Sequence, residues 1–188
     1  MKKRVIRASV VIVIIALLTV WGLQVKKINE RYPAPDVNTG EFNKPYKIMN
    51  RDITVKGYAI RELDSLLDDM ELTRKDVSLN TNDEINVMLV EVEVKELEKY
   101  DLYEDFDIMY SVVESDAWFN GVDREIYIAI NGDKLENLYD EKQNSTTVIL
   151  PFTMYKVRFS NKSWKNLEDK EYNLVFNWYP VKKQIAMQ

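Results

Sequence analysis

Residues 84–97, EINVMLVEVEVKEL, decide the fold class. Met88, Val90, Val92 and Val94 fall on one side of an extended chain, with Glu91, Glu93 and Lys95 on the other. Side chains of a strand alternate between its faces, so this spacing predicts a strand with one covered and one wet face, the antiparallel pattern. Outward from it, alternation or β-branched runs recur at 52–60 (DITVKGYAI), 107–114 (DIMYSVVE), 125–130 (EIYIAI), 146–160 (TTVILPFTMYKVRFS), 171–179 (EYNLVFNWY) and 181–185. Pro151 lacks a ladder donor and marks the 146–160 run as an edge or a bulge.

These seven segments follow one another without helical crossovers, which argues against a parallel α/β sheet. Helical inserts are short. Leu63, Leu66, Leu67 and Met70 stand at i, i+3, i+4 and i+7 within 61–71, an amphipathic stripe. Residues 134–142 offer a shorter helical pattern through Leu135, Leu138 and Tyr139, and Ser160 or Ser163 caps a turn that buries Trp164 and Leu167. Fifteen Asn against five Gly predict that Asn carries the left-handed turn positions. The expectation is an Ig-like antiparallel β-sandwich of seven strands without the Cys-Trp-Cys hallmark of antibody domains, with Trp164, Tyr172 and Trp178 in its core.

Composition narrows the chemistry. In 188 residues, 46% are hydrophobic and 30% charged, which excludes a disordered chain. Cysteine and histidine are both absent, which removes thiol nucleophiles, disulfides, Cys/His zinc sites and His-based proton transfer. No G-x-S-x-G, Walker-type or dinucleotide-binding glycine pattern occurs. No catalytic residue, cofactor or metal site is assigned.

The N-terminus carries a separate signal. Lys2, Lys3, Arg4 and Arg7 precede ASVVIVIIALLTVWGL, which is free of charge. The apolar run 5–25 amounts to about 31 Å of helix at ~1.5 Å per residue, the thickness of a hydrocarbon core. It is longer than a secretory signal core and ends in a poor cleavage site, so an uncleaved anchor is the expectation. Basic residues nearly balance across it, with Lys26, Lys27 and Arg31 following. The short cationic tail and the long following domain favour a C-terminal body outside the cytoplasm. The division is then a basic tail at 1–4, a transmembrane helix at 5–25, a Pro-containing stalk at 26–45 and the sandwich at 46–188. Fully extended, that stalk would reach ~60 Å at ~3.1 Å per residue.

Beyond residue 25 lie 22 of the 26 cations and all 31 acids, a net charge of −9. That balance disfavours phosphate backbones and anionic lipid surfaces, so nucleic acid is excluded as a partner.

INVMLVEVEV, TTVILPFTMYKVRF and EYNLVFNWYPVK together resemble the telokin-like, immunoprotective-type extracellular sandwiches. The layout of tail, anchor, stalk and strand-rich body is similar to uncharacterised membrane-anchored exported proteins of Gram-positive bacteria. The resemblance covers residues 46–185 through hydrophobic pattern alone. It implies an extracellular sandwich and supplies no catalytic residue.

Candidate functional residues are few. Asp101, Glu104, Asp105 and Asp107, and Asp64, Asp68 and Asp69, are the acidic groups that a carboxylate-based glycan hydrolase would draw on; as charge runs they read as solvated faces. The first group lacks the spacing and glycine of an EF-hand. The sequons at Asn144 and Asn161 read as accidental. Residues 115–121, SDAWFNG, form an aromatic loop between strands, and Trp118, Phe119 and Asn120 with Arg124 make up the candidate binding surface. The competing reading has both aromatics plugging one end of the sandwich. A binding module of the cell envelope, with an envelope protein or a glycan as partner, is the leading functional expectation; a carboxylate enzyme or a structural subunit are the alternatives.

Overall fold

The computed structural model describes residues 2–96, 107–116, 118–132 and 145–187. The chain divides into two compact units, Met1–Asp36 and Val37–Gln188. The first is dominated by helix α1, Lys2–Arg31, which runs unbroken. Its stretch Val11–Arg31 has a mean hydropathy of 1.9, buries none of its surface, and is long and apolar enough to cross a membrane. Pro33 and Pro35 bar its continuation. The segment 26–45 is therefore mostly structured: helix as far as Arg31, strand from Asp36. Only 32–35 lie between, a contour of about 14 Å at ~3.5 Å per residue.

The second unit is a two-sheet β-structure. One sheet has the order β2 (Tyr46–Ile48), β3 (Arg51–Glu62), β4 (Ile85–Glu96), β7 (Thr146–Tyr155). The other runs β1 (Asp36–Gly40), β9 (Val181–Met187), β8 (Tyr172–Asn177), β5 (Val112–Ser115), β6 (Trp118–Gly121). The 84–97 reading holds. Met88, Val90 and Val92 face inward, flanked across the ladder by Ile60, Tyr58 and Val55 on β3 and by Phe152, Leu150 and Val148 on β7. A bulge at Lys56 keeps Val55 and Tyr58 on the same side. Val113, Tyr172, Leu174, Phe176, Ile185 and Met187 of the second sheet close the same core. Gly40 is required where β1 passes the Tyr46 ring, since a Cβ there would come within 2.6 Å of it.

The outer face of the first sheet is dry at one end. Helix α2 (Leu63–Asp69) lays Leu63, Leu66 and Leu67 over Ile85 and Val87, with Val77 and Ile126 completing the cluster. Arg74 ties this insert down. It donates to both carboxylate oxygens of Asp64, at 2.6 and 2.8 Å, and to the carbonyls of Thr81 and Asp83.

Three expectations are corrected. Residues 125–130 are helical: α3 spans Arg124–Asn131, started by Asp123, whose carboxylate accepts from the Ile126 amide at 3.2 Å. Burying Ile126 and Tyr127 and leaving Ile128 outside serves a helix, where strand alternation would have put Ile126 and Ile128 together. The 107–114 run begins as a 3-10 turn, Ile108–Tyr110, capped by Asp107, and only Val112–Ser115 is strand. The 146–160 run leaves the sheet at Tyr155; a 3-10 turn and then α4 (Asn161–Lys165) follow, with Ser160 as the cap and Trp164 and Leu167 buried, as the capping signal predicts. Left-handed turn positions also fall mostly on residues other than Asn: Met49, Glu71, Ser78 and Asp116 join Asn43. The helical pattern at 134–142, the acids at 101–105 and the sequon at Asn144 lie outside the described residues.

Strand β7 is an edge among the described strands, as Pro151 predicts, and several of its outward backbone groups are individually closed. The Asn131 side chain donates to the Ile149 carbonyl (2.8 Å) and accepts from the Ile149 amide (2.9 Å). The Asp123 amide donates to the Pro151 carbonyl at 2.8 Å. Asn120 Nδ2 donates to the Thr153 carbonyl at 2.7 Å. Replacing Asn131 by Leu leaves both Ile149 groups without these partners, and unsatisfied buried groups cost about 1–3 kcal/mol each. The expected result is a loss of about 2–4 kcal/mol in urea unfolding, with amide exchange at Ile149 accelerating more than at Val92.

Candidate functional site

The candidate loop is largely strand, and strand geometry divides its residues. Trp118 and Phe119 are consecutive on β6 and so point to opposite faces. Trp118 turns inward, half-buried against the main core, with its ring 5.6 Å from that of Phe159. Phe119 turns outward and is 65% exposed. The plugging reading describes Trp118 and the binding reading describes Phe119. Asn120 is committed to structure: besides the Thr153 carbonyl it reaches Thr153 Oγ1, and its Oδ1 accepts from the Gly121 amide. Arg124 is exposed in the first turn of α3.

Outside, Phe119 meets Trp178 edge to face, at 6.3 Å between centroids. Trp178 is 44% exposed and Tyr179 beside it 70%, so the assignment of Trp178 to the core is corrected. Inward alternation holds through Tyr172, Leu174 and Phe176. The register then shifts between Val175 and Asn177, and the strand ends before Trp178. The Lys182 ammonium lies 4.8 Å from the Trp178 ring centroid and forms an ion pair with Glu114, which faces Phe119 across the β5–β6 ladder. A cation over the indole face is attracted by the ring quadrupole, so the indole is held from both sides.

Inside the other face, Trp118 and Phe159 border a cleft of about 200 Å³ that also involves Ser115, Asp116, Arg158 and Lys170. Asp116 and Lys170 are paired at 2.6 Å. Ser160, Ser163 and Lys170 continue from it into a neighbouring hollow of about 320 Å³ with Lys162 and Asp169. The Ser115 hydroxyl is buried and has no hydrogen-bond partner. Nearby, burial first, then Tyr58 and Asp116, push the Tyr172 phenol well above its ordinary range; its hydroxyl donates to the Leu167 carbonyl at 2.8 Å.

Several of the described acids are occupied. Asp64 is held below the usual carboxylate range by its hydrogen bonds from Arg74, and Asp69 pairs with Arg61. Lys156 and the Trp164 indole do the same to Glu84. Asp123 is raised by burial, but its carboxylate is the cap of α3. Asp107 caps the 3-10 turn. Among the described residues, no group of three or more acids is placed to hold a metal ion.

A family model for a domain of unknown function matches residues 39–183, which takes in both sheets and both surfaces of β6. The chain belongs to the DUF5028 family. No curated protein and no solved structure matches it. The shown family is thus DUF5028, where the hydrophobic pattern alone resembles the telokin-like type. The DUF5028 match leaves α1 outside and includes the two surfaces sequence reasoning missed. Trp178 and Tyr179 carried one signal, a position beside Pro180 and so at a strand end; Arg158, Phe159 and Lys170 carried none, being distant from the candidate loop in sequence.

The division of β6 is testable by stability alone. Trp118→Ala should cost about 2–4 kcal/mol, as partly buried aromatic truncations do, whereas Phe119→Ala should stay within about 0.5 kcal/mol of the parent. Paired urea melts followed by tryptophan fluorescence read both; equal losses would contradict the assignment of faces.

Proposed function

We propose that this DUF5028 protein is a membrane-anchored, extracytoplasmic binding module that docks a partner protein of the cell envelope through Phe119, Trp178 and Tyr179. The observation that carries this is the Phe119–Trp178 pair, in ring contact and exposed, with Tyr179 exposed next in the chain and the Lys182 ammonium over the Trp178 ring. Trp and Tyr are enriched where protein interfaces concentrate their energy. Aromatics usually bury, and the core is complete without these three.

The anchor reading is supported by the unbroken α1 and by its apolar stretch with no protein to cover it. The cationic tail favours the domain outside the cytoplasm. The sandwich reads as Ig-like in its strand order: β3, β4 and β7 correspond to A, B and E, and β9, β8, β5 and β6 to G, F, C and C′. The acids described above give carboxylate catalysis no support, and the module is read as non-enzymatic.

The chain has no cysteine, so Lys75→Cys creates a single thiol at an exposed position. A membrane-impermeant maleimide should label it in intact cells; labelling only after permeabilisation would put the domain inside. For the partner, a photo-reactive benzoylphenylalanine at position 119 of the full-length chain in native membranes should give one discrete protein adduct. Adding Trp178→Ala should reduce that adduct by about tenfold, the loss of about 1.4 kcal/mol. Adducts to lipid alone, or a protein adduct indifferent to Trp178, would overturn this docking face.

A further inference from the structure

The cleft on the inner side of β6 owes nothing to the aromatic face, and its chemistry is different. We infer that it is a second binding site, for a saccharide unit carrying a carboxylate. Trp118 and Phe159, tilted by 43° at 5.6 Å, give it one apolar wall. The C–H faces of a sugar ring pack against such π-surfaces, whose faces are negative. Opposed to that wall in composition are Asp116, Lys170, Ser160 and Ser163, a mixture of donors and acceptors that suits vicinal hydroxyls.

The carboxylate preference comes from Arg158. Lys170 is paired with Asp116, whereas no ion pair joins Arg158 to an acid among the described residues, and its guanidinium lies 5.9 Å from the Tyr155 ring centroid. Everything beyond residue 25 carries a net charge of −9, so the body as a whole repels anions. An unpaired guanidinium lining a cleft is a local exception, and its planar fork matches a carboxylate bidentately. The neighbouring hollow shares Ser160, Ser163 and Lys170 and extends the groove for a second sugar.

The test uses the full chain in lipid nanodiscs and two disaccharides, cellobiouronic acid and cellobiose, which differ only by a carboxylate at C6. Titration is followed by the indole N–H cross-peaks of the four tryptophans. The acidic sugar should bind saturably, move the Trp118 signal and leave Trp178 in place, with cellobiose at least ~10-fold weaker. Trp118 also packs on the core, so the decisive variant is the exposed Arg158→Ala, checked for an unchanged melt. It should bring the acidic sugar down to the affinity of cellobiose, while Phe119→Ala leaves both unchanged and so separates this site from the docking face. Absence of saturable binding by the acidic sugar, equal affinity for the two sugars, or binding indifferent to Arg158→Ala would each overturn the inference.

Discussion

Among the described strands β7 ends its sheet, with backbone groups turned away from β4, and β6 and α3 carry the residues that close several of them. An open edge is a template for pairing with another chain, so its groups need covering. Pro151 removes a donor at one outward position. Asn131 meets both Ile149 groups, and Asp123 and Asn120 meet the carbonyls of Pro151 and Thr153. Helix α3 is the device that delivers two of these three residues, one at its cap and one at its last turn. A strand over 125–130 would have met the edge with further ladder bonds and moved the sandwich boundary; the helix closes it.

The same helix links the two apolar clusters, sending Tyr127 to the main core and Ile126 to the one beneath α2. Here the limits of sequence reading are physical. EIYIAI supports either period, since Ile126 and Ile130 face together in a strand and lie one turn apart in a helix. The deciding feature is Asp123, a cap signal just ahead of the run, together with Gly132 at a φ of 55° just after it. By contrast, residues 84–97 left little freedom. A slip of one residue there would turn Met88, Val90, Val92 and Val94 to solvent, so alternation fixed the face and the partners followed. What alternation did not reveal is that Ile85 and Val87 are covered on the other face, because that cover comes from α2, remote in sequence.

The candidate site was legible as a place and misread in its parts. The Trp-Phe-Asn run lies on β6, and a two-residue period assigns its members to three surroundings. Trp118 faces the cleft, Phe119 the solvent, and Asn120 the edge of β7. Trp178 failed for the complementary reason. Its position fits the inward parity of Tyr172, Leu174 and Phe176, and a single bulge reverses it. Bulges of this kind depend on cross-strand register and carry no local residue signature.

Phe119 and Trp178 are exposed although their rings are in contact, and Tyr179 is exposed next to Trp178. The outer positions beside them hold Glu114 and Lys182, a pair half-shielded by the same rings. Phe119 and Trp178 each have only two side-chain torsions, and Trp178 is further fixed by Phe119 at its edge and Lys182 over its face. Side chains already held in one arrangement lose little entropy when a partner covers them, so more of the apolar burial appears as affinity. On the docking reading proposed above, apolar surface left in water and already held in place is prepared for contact. A fold seeking only stability would have placed polar residues at all three positions.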